Sequence, residues 1–137
     1  MATGQPKNYQ QVSGRLALLV VQGLGARGIG FTVAATWREV DAALSPVIGQ
    51  YGVAALYARS VALTSTTYPW LAPAQTNGHS PRDFSFIESS LAKQTPDDAA
   101  AGGSALIEIF CQLLVSMIGV ALTEELLAPV WSRIFKL

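Results

Sequence analysis

Read for apolar spacing, the chain is helical along most of its length. From Phe31 to Leu44, Val33, Trp37, Val40 and Leu44 recur at helical intervals, with Arg38, Glu39 and Asp41 mostly on other faces. A second stripe, Val53, Leu56, Tyr57 and Val61, predicts a helix within 51–67, stopped at Tyr68-Pro69-Trp70 because a residue before proline leaves the α region. A turn-rich loop from Pro73 to Ser80 follows, and Phe84, Ile87 and Leu91 predict a short amphipathic helix over 83–94. The last block, Ala105–Trp131, is the most apolar. Phe110, Leu113, Leu114, Met117, Ile118 and Ala121 mark one broad face; Glu108, Gln112 and Ser116 form the only polar stripe. Such a segment belongs at the centre of a bundle or across a subunit interface, with breaks expected at Gly119 and Pro129.

Start signals agree with this period. Ser45-Pro46, Ser80-Pro81 and Thr95-Pro96 each pair an N-cap hydroxyl with a proline suited to the first helical position. Asp83 and Asp98, three residues after Ser80 and Thr95, complete box-like starts. No alternating pattern of useful length occurs after the N-terminus. The expectation is an all-α bundle of about five helices over 31–137, its C-terminal helix central or at a dimer interface, preceded by a flexible or weakly ordered extension over 1–30.

Composition narrows function by exclusion. Charged residues make up 13% of the chain, about half the usual share, and the formal net charge is zero. Without a basic cluster, nucleic acid is disfavoured as a partner. The longest chargeless run of the last block, Ile109 to Thr123, is shorter than the roughly 20 residues a spanning helix needs, so membrane insertion is also disfavoured. The lone Cys111 excludes an internal disulfide, fits a cytoplasmic location, and in its apolar surroundings reads as a small core hydrophobe.

Catalytic chemistry has few candidates. Gly23-Leu-Gly25-Ala-Arg-Gly28 after Leu16–Val21 matches the dinucleotide fingerprint, which needs a strand before it and an acid about 20 residues on. Glu39 and Asp41 come too early, so a glycine-rich linker is the better reading. The only histidine, His79, lies in the Pro/Asn/Gly-rich loop, far from a metal set or a haem-bearing helix. No cofactor and no metal are expected. Gly102-Gly103-Ser104 reads as a tight helix–helix contact. Arg59, the only charge between Asp41 and Arg82, offers an anion contact, with Glu108, Gln112 and Ser116 as the rest of a candidate ligand cavity. Phe110, Leu114, Met117 and Trp131 are the candidate interface anchors.

The segments Leu44-Ser-Pro-Val-Ile-Gly49, Gly52-Val-Ala-Ala-Leu-Tyr-Ala-Arg-Ser60 and Tyr68-Pro-Trp-Leu71, joined to Leu114-Val-Ser-Met-Ile-Gly119, Leu122-Thr-Glu-Glu-Leu-Leu127 and Pro129-Val-Trp131, carry a resemblance. Over residues 31–131 the chain resembles a group of small bacterial helical proteins without an established activity, some of which accompany signal-transduction genes. The resemblance implies a signalling accessory and carries over no catalytic residue. The expected function is a non-enzymatic, homodimeric interaction protein with a possible signalling partner. A small-ligand sensor built on Arg59 and Glu108 is the alternative, and a dinucleotide enzyme using Gly23, Gly25 and Gly28 a distant third.

Overall fold

Helices account for nearly all of the computed structural model, which describes residues 7–71 and 84–135. They are α1 (Lys7–Val21), α2 (Ala26–Thr64), α3 (Ser85–Ala92), α4 (Pro96–Ile118) and α5 (Val120–Phe135), with a 3₁₀ turn at Pro69–Leu71. The all-α expectation holds. Pattern and outcome differ in two places. Part of the segment expected to be a weakly ordered extension is α1, whose Val12 and Leu16 are fully buried, and the break expected at Ser45-Pro46 comes later.

That break is at Gly49, inside α2, where φ is +82° and ψ 156°. A side chain is essentially excluded from this region of backbone space, so glycine sets the position. Pro46 sits within the helix just before it, where its missing N–H weakens the last turn. The chain reverses there: Tyr57, beyond the break, places its ring 5.0 Å from that of Trp37, before it. α2 is therefore a hairpin of two arms, 26–48 and 50–64. Gly119 repeats the device between α4 and α5, with φ +89° and ψ 164°. Pro129 lies inside α5 without ending it.

At the start of α4 the local chemistry is as read. Thr95 caps the helix, its Oγ1 accepting from the Asp98 N–H at 3.1 Å, and Pro96 occupies the first turn.

The two glycine breaks are part of a larger correspondence. Sliding the chain so that Gly49 falls on Gly119 carries Ile29 to Ala99, Val33 to Gly103, Trp37 to Ile107, Val40 to Phe110 and Leu44 to Leu114. Beyond the break it carries Val53 to Thr123, Tyr57 to Leu127 and Val61 to Trp131. Every one of these residues is buried. The unit of short helix, tight turn, long helix, glycine reversal and return helix thus occurs twice.

The halves are cross-packed. α1 lies chiefly against α4 and α3 chiefly against α2, with little contact between either short helix and the long helix that follows it. The long helices run parallel. A Cβ on Gly103 would sit 2.9 Å from Val33 Cγ2, and further along both helices the Trp37 and Phe110 rings are 4.7 Å apart. Both glycine reversals therefore lie at the same end of the bundle. Gly103 thus makes the close helix–helix contact expected of the pair, whereas a Cβ on Gly102 would meet the Trp70 ring of the 3₁₀ turn at 2.6 Å. Trp37, Tyr57, Phe84 and Phe110 form an aromatic cluster joining both arms of α2 to α4 and to the residue before α3.

Candidate functional site

The polar stripe of α4 faces outward. Glu108, Gln112 and Ser116 are all exposed, and the Ser116 hydroxyl donates to the Gln112 carbonyl at 3.1 Å. Arg59, on the second arm of α2, is exposed as well. Of the four residues expected to share a ligand cavity, Glu108 alone borders the groove between α1 and α4. This groove is open, about 450 Å³ in volume, and also lined by Ser13, Ala17, Val21, Asp97 and Ala101; Arg59, Gln112 and Ser116 are not part of it. With carboxylates at Asp97 and Glu108, this groove suits positively charged groups rather than the anion expected from Arg59.

The interface anchors are corrected in the same way. Phe110, Leu114 and Trp131 are buried within the chain's own core, so they have no surface to offer a partner. Met117 is the exception, at 56% exposed. Periodicity marks a buried face without saying whether the cover is intramolecular, and here α2 supplies it.

Buried polar groups that resemble reactive side chains are tied into their own helices. The hydroxyls of Thr36, Ser60, Thr64 and Thr123 donate to the carbonyls of Thr32, Leu56, Ser60 and Gly119 at 2.7–2.8 Å. Burial pushes the Cys111 thiol up to about 12, with the negative charge of Glu108 adding to the rise. A neutral buried thiol is a poor nucleophile.

The sign of its pH dependence follows. The folded pKa lies above the ordinary 9.0, so the stabilisation from keeping the thiol neutral is complete below pH 9 and is lost as pH climbs towards 12. Resistance to urea should therefore weaken above pH 9, this group contributing up to about 1.4 kcal/mol per pH unit, and Cys111→Ala should flatten the decline. Equal decline in both proteins would refute this.

The glycine-rich segment does not have the dinucleotide context. Leu16–Val21 belongs to helix α1 rather than to a strand, and Gly23 and Gly25 make the turn into α2, with Gly28 already inside that helix. No strand and no cluster of metal-ligating side chains occurs among the described residues. His79 and the Ser80-Pro81 start signal lie outside the described residues. α4 is long and apolar enough to cross a membrane, and in the fold Leu106, Phe110 and Leu114 on it are buried.

What sequence reasoning did not single out is the surface around the two glycine reversals. Val47 and Met117, which correspond between the halves, are both exposed there, together with Tyr51 at 83% and Leu122. The chain carries no charge from Ala42 to Ala58 or from Ile109 to Thr123, so each reversal sits in an uncharged stretch. The repeated Ile-Gly pairs, Ile48-Gly49 and Ile118-Gly119, were the available signal.

No family model, curated protein or solved structure matches the chain.

Proposed function

We propose that this chain is a non-enzymatic helical interaction protein, an accessory in a regulatory or signalling system, and that it binds its partner through the end of the bundle bearing Gly49 and Gly119. The observation that carries this reading is the exposed apolar set Val47, Tyr51, Met117 and Leu122 in two uncharged stretches. Exposed apolar side chains gathered in one region mark interaction surfaces more often than scattered ones do. A flat aromatic such as Tyr51 is the kind of residue that anchors them. The matching partner surface is an uncharged apolar helix face. The tightly held core and the neutral Cys111 favour a rigid scaffold over a reactive site. A cytoplasmic location belongs to the same proposal.

A photo-crosslinking amino acid at position 117, compared with one at position 59, tests the assignment in extracts of the native cell. A discrete adduct from position 117 alone, suppressed by Tyr51→Lys, is expected. The same adducts from both positions, or none from 117, would overturn it.

A further inference from the structure

The correspondence between halves fails in one respect, and the failure is systematic. Along one face of the first arm of α2 run Arg27, Phe31, Ala35 and Arg38, at helical spacing. Their counterparts on α4 are Asp97, Ala101, Ala105 and Glu108. Where one half carries two arginines with an aromatic between them, the other carries two carboxylates with alanines between them. The spacing of the charges is identical.

The shapes are complementary too. Phe31 is 61% exposed and stands between the two arginines. Asp97, Ala101, Ala105 and Glu108 line the groove against α1, which contributes the exposed apolar residues Ala17 and Val21, with Ala100 buried beneath. Its volume of about 450 Å³ exceeds what a phenyl side chain needs. Arg38 contacts Glu88 at 3.6 Å, but both side chains remain accessible, and an exposed pair of this kind holds its arginine weakly.

We infer that a second copy of this chain is the occupant of the groove, Phe31 of one copy entering between α1 and α4 of the next while Arg27 and Arg38 meet Asp97 and Glu108. Each copy then presents one projecting stripe and one groove, from opposite halves of the bundle. Used once, this contact is heterologous and leaves a free stripe on one copy and a free groove on the other for further copies to add head to tail. The charges fix register and make association salt-dependent, and the buried ring supplies the apolar contact. This inference is independent of the reversal end and uses none of its residues.

Sedimentation velocity of the intact chain, over concentrations from about 1 µM to about 1 mM, tests it. The mean mass should rise with concentration at low salt and fall back at high salt. R27E/R38E and D97K/E108K should each stay monomeric, and an equimolar mixture of the two should associate, because each restores the pairing the other lacks. Ala101→Trp, which fills the groove, should weaken association at least tenfold; Phe31→Ser, introduced into both charge variants, should abolish association of the mixture. All six substituted positions are exposed, and unchanged thermal unfolding of each variant serves as the folding control. A wild-type chain that is monomeric throughout would overturn the inference. So would charge variants that associate as the wild type does, or a mixture that still associates without Phe31. Position 117 cross-linking is unaffected by these variants, so either reading can fail alone.

Discussion

Trp37→Ala is expected to destabilise the fold by about 3–5 kcal/mol, the range for removing a fully buried large aromatic. The indole is 1% exposed and touches three other rings: Tyr57 at 5.0 Å, Phe84 at 6.3 Å and Phe110 at 4.7 Å. Those rings come from the second arm of α2, the residue preceding α3, and α4. One truncation therefore opens a cavity where four segments meet, and no single segment can collapse to fill it. Against a total stability of about 5–15 kcal/mol the loss is large enough to leave the chain partly unfolded. Trp37→Phe should behave differently. The indole N–H is buried with no hydrogen-bond partner among the described residues. An unsatisfied buried donor costs about 1–3 kcal/mol, so removing it offsets part of the lost contact. Urea denaturation of the three proteins decides the matter: a loss below about 1 kcal/mol in the alanine variant would show that the cluster does not hold the segments together.

Alanine at the two reversals gives the second large effect. At Gly49 and Gly119 nothing lies within 4 Å of an added Cβ, so space is not the obstacle. Backbone conformation is. Both residues hold a positive φ with an extended ψ, a region that costs about 1–3 kcal/mol for a residue with a side chain. Gly49→Ala and Gly119→Ala should each lower stability by that amount, and the double variant by close to the sum. Gly14→Ala is the internal control. That glycine is exposed within α1, with open space around it and no positive φ, so the same substitution should stabilise by about 0.5–1 kcal/mol. Opposite signs for one chemical change, read as shifts in unfolding midpoint, are the expected result. Stabilisation at all three positions would mean that the reversals tolerate ordinary helical geometry.

What the sequence revealed was what neighbouring residues determine. The Thr95-Pro96 start and the Phe84/Ile87/Leu91 stripe depend on side chains within a turn or two of one another, and both are found as read. α1 was misjudged because its partners are far away in the chain. Val12 and Leu16 are covered from α4 and α5, and a weak local pattern with Gly14 in its middle does not announce that cover. Ser45-Pro46 shows local cap chemistry overruled by a glycine a few residues on. The relation between halves was hidden by exchanges of size. Val33 against Gly103 and Trp37 against Ile107 keep the burial and change the residue. For the site, spacing correctly put Glu108, Gln112 and Ser116 on one face. It left open which surface that face would meet, and it grouped with Glu108 an Arg59 that is exposed on the second arm of α2, outside the groove that Glu108 borders.

The crossed arrangement of the short helices also bears on the order in which the protein can be made. α1 is synthesised before α2, yet it has little contact with that helix. The helices it covers, α4 and α5, are synthesised only after α2 and α3. Until then Val12 and Leu16 have no permanent shelter, and the nascent chain carries them unshielded while α2 and α3 are made. Completion of the bundle waits on the arrival of α4 and α5 rather than on the accumulation of finished parts.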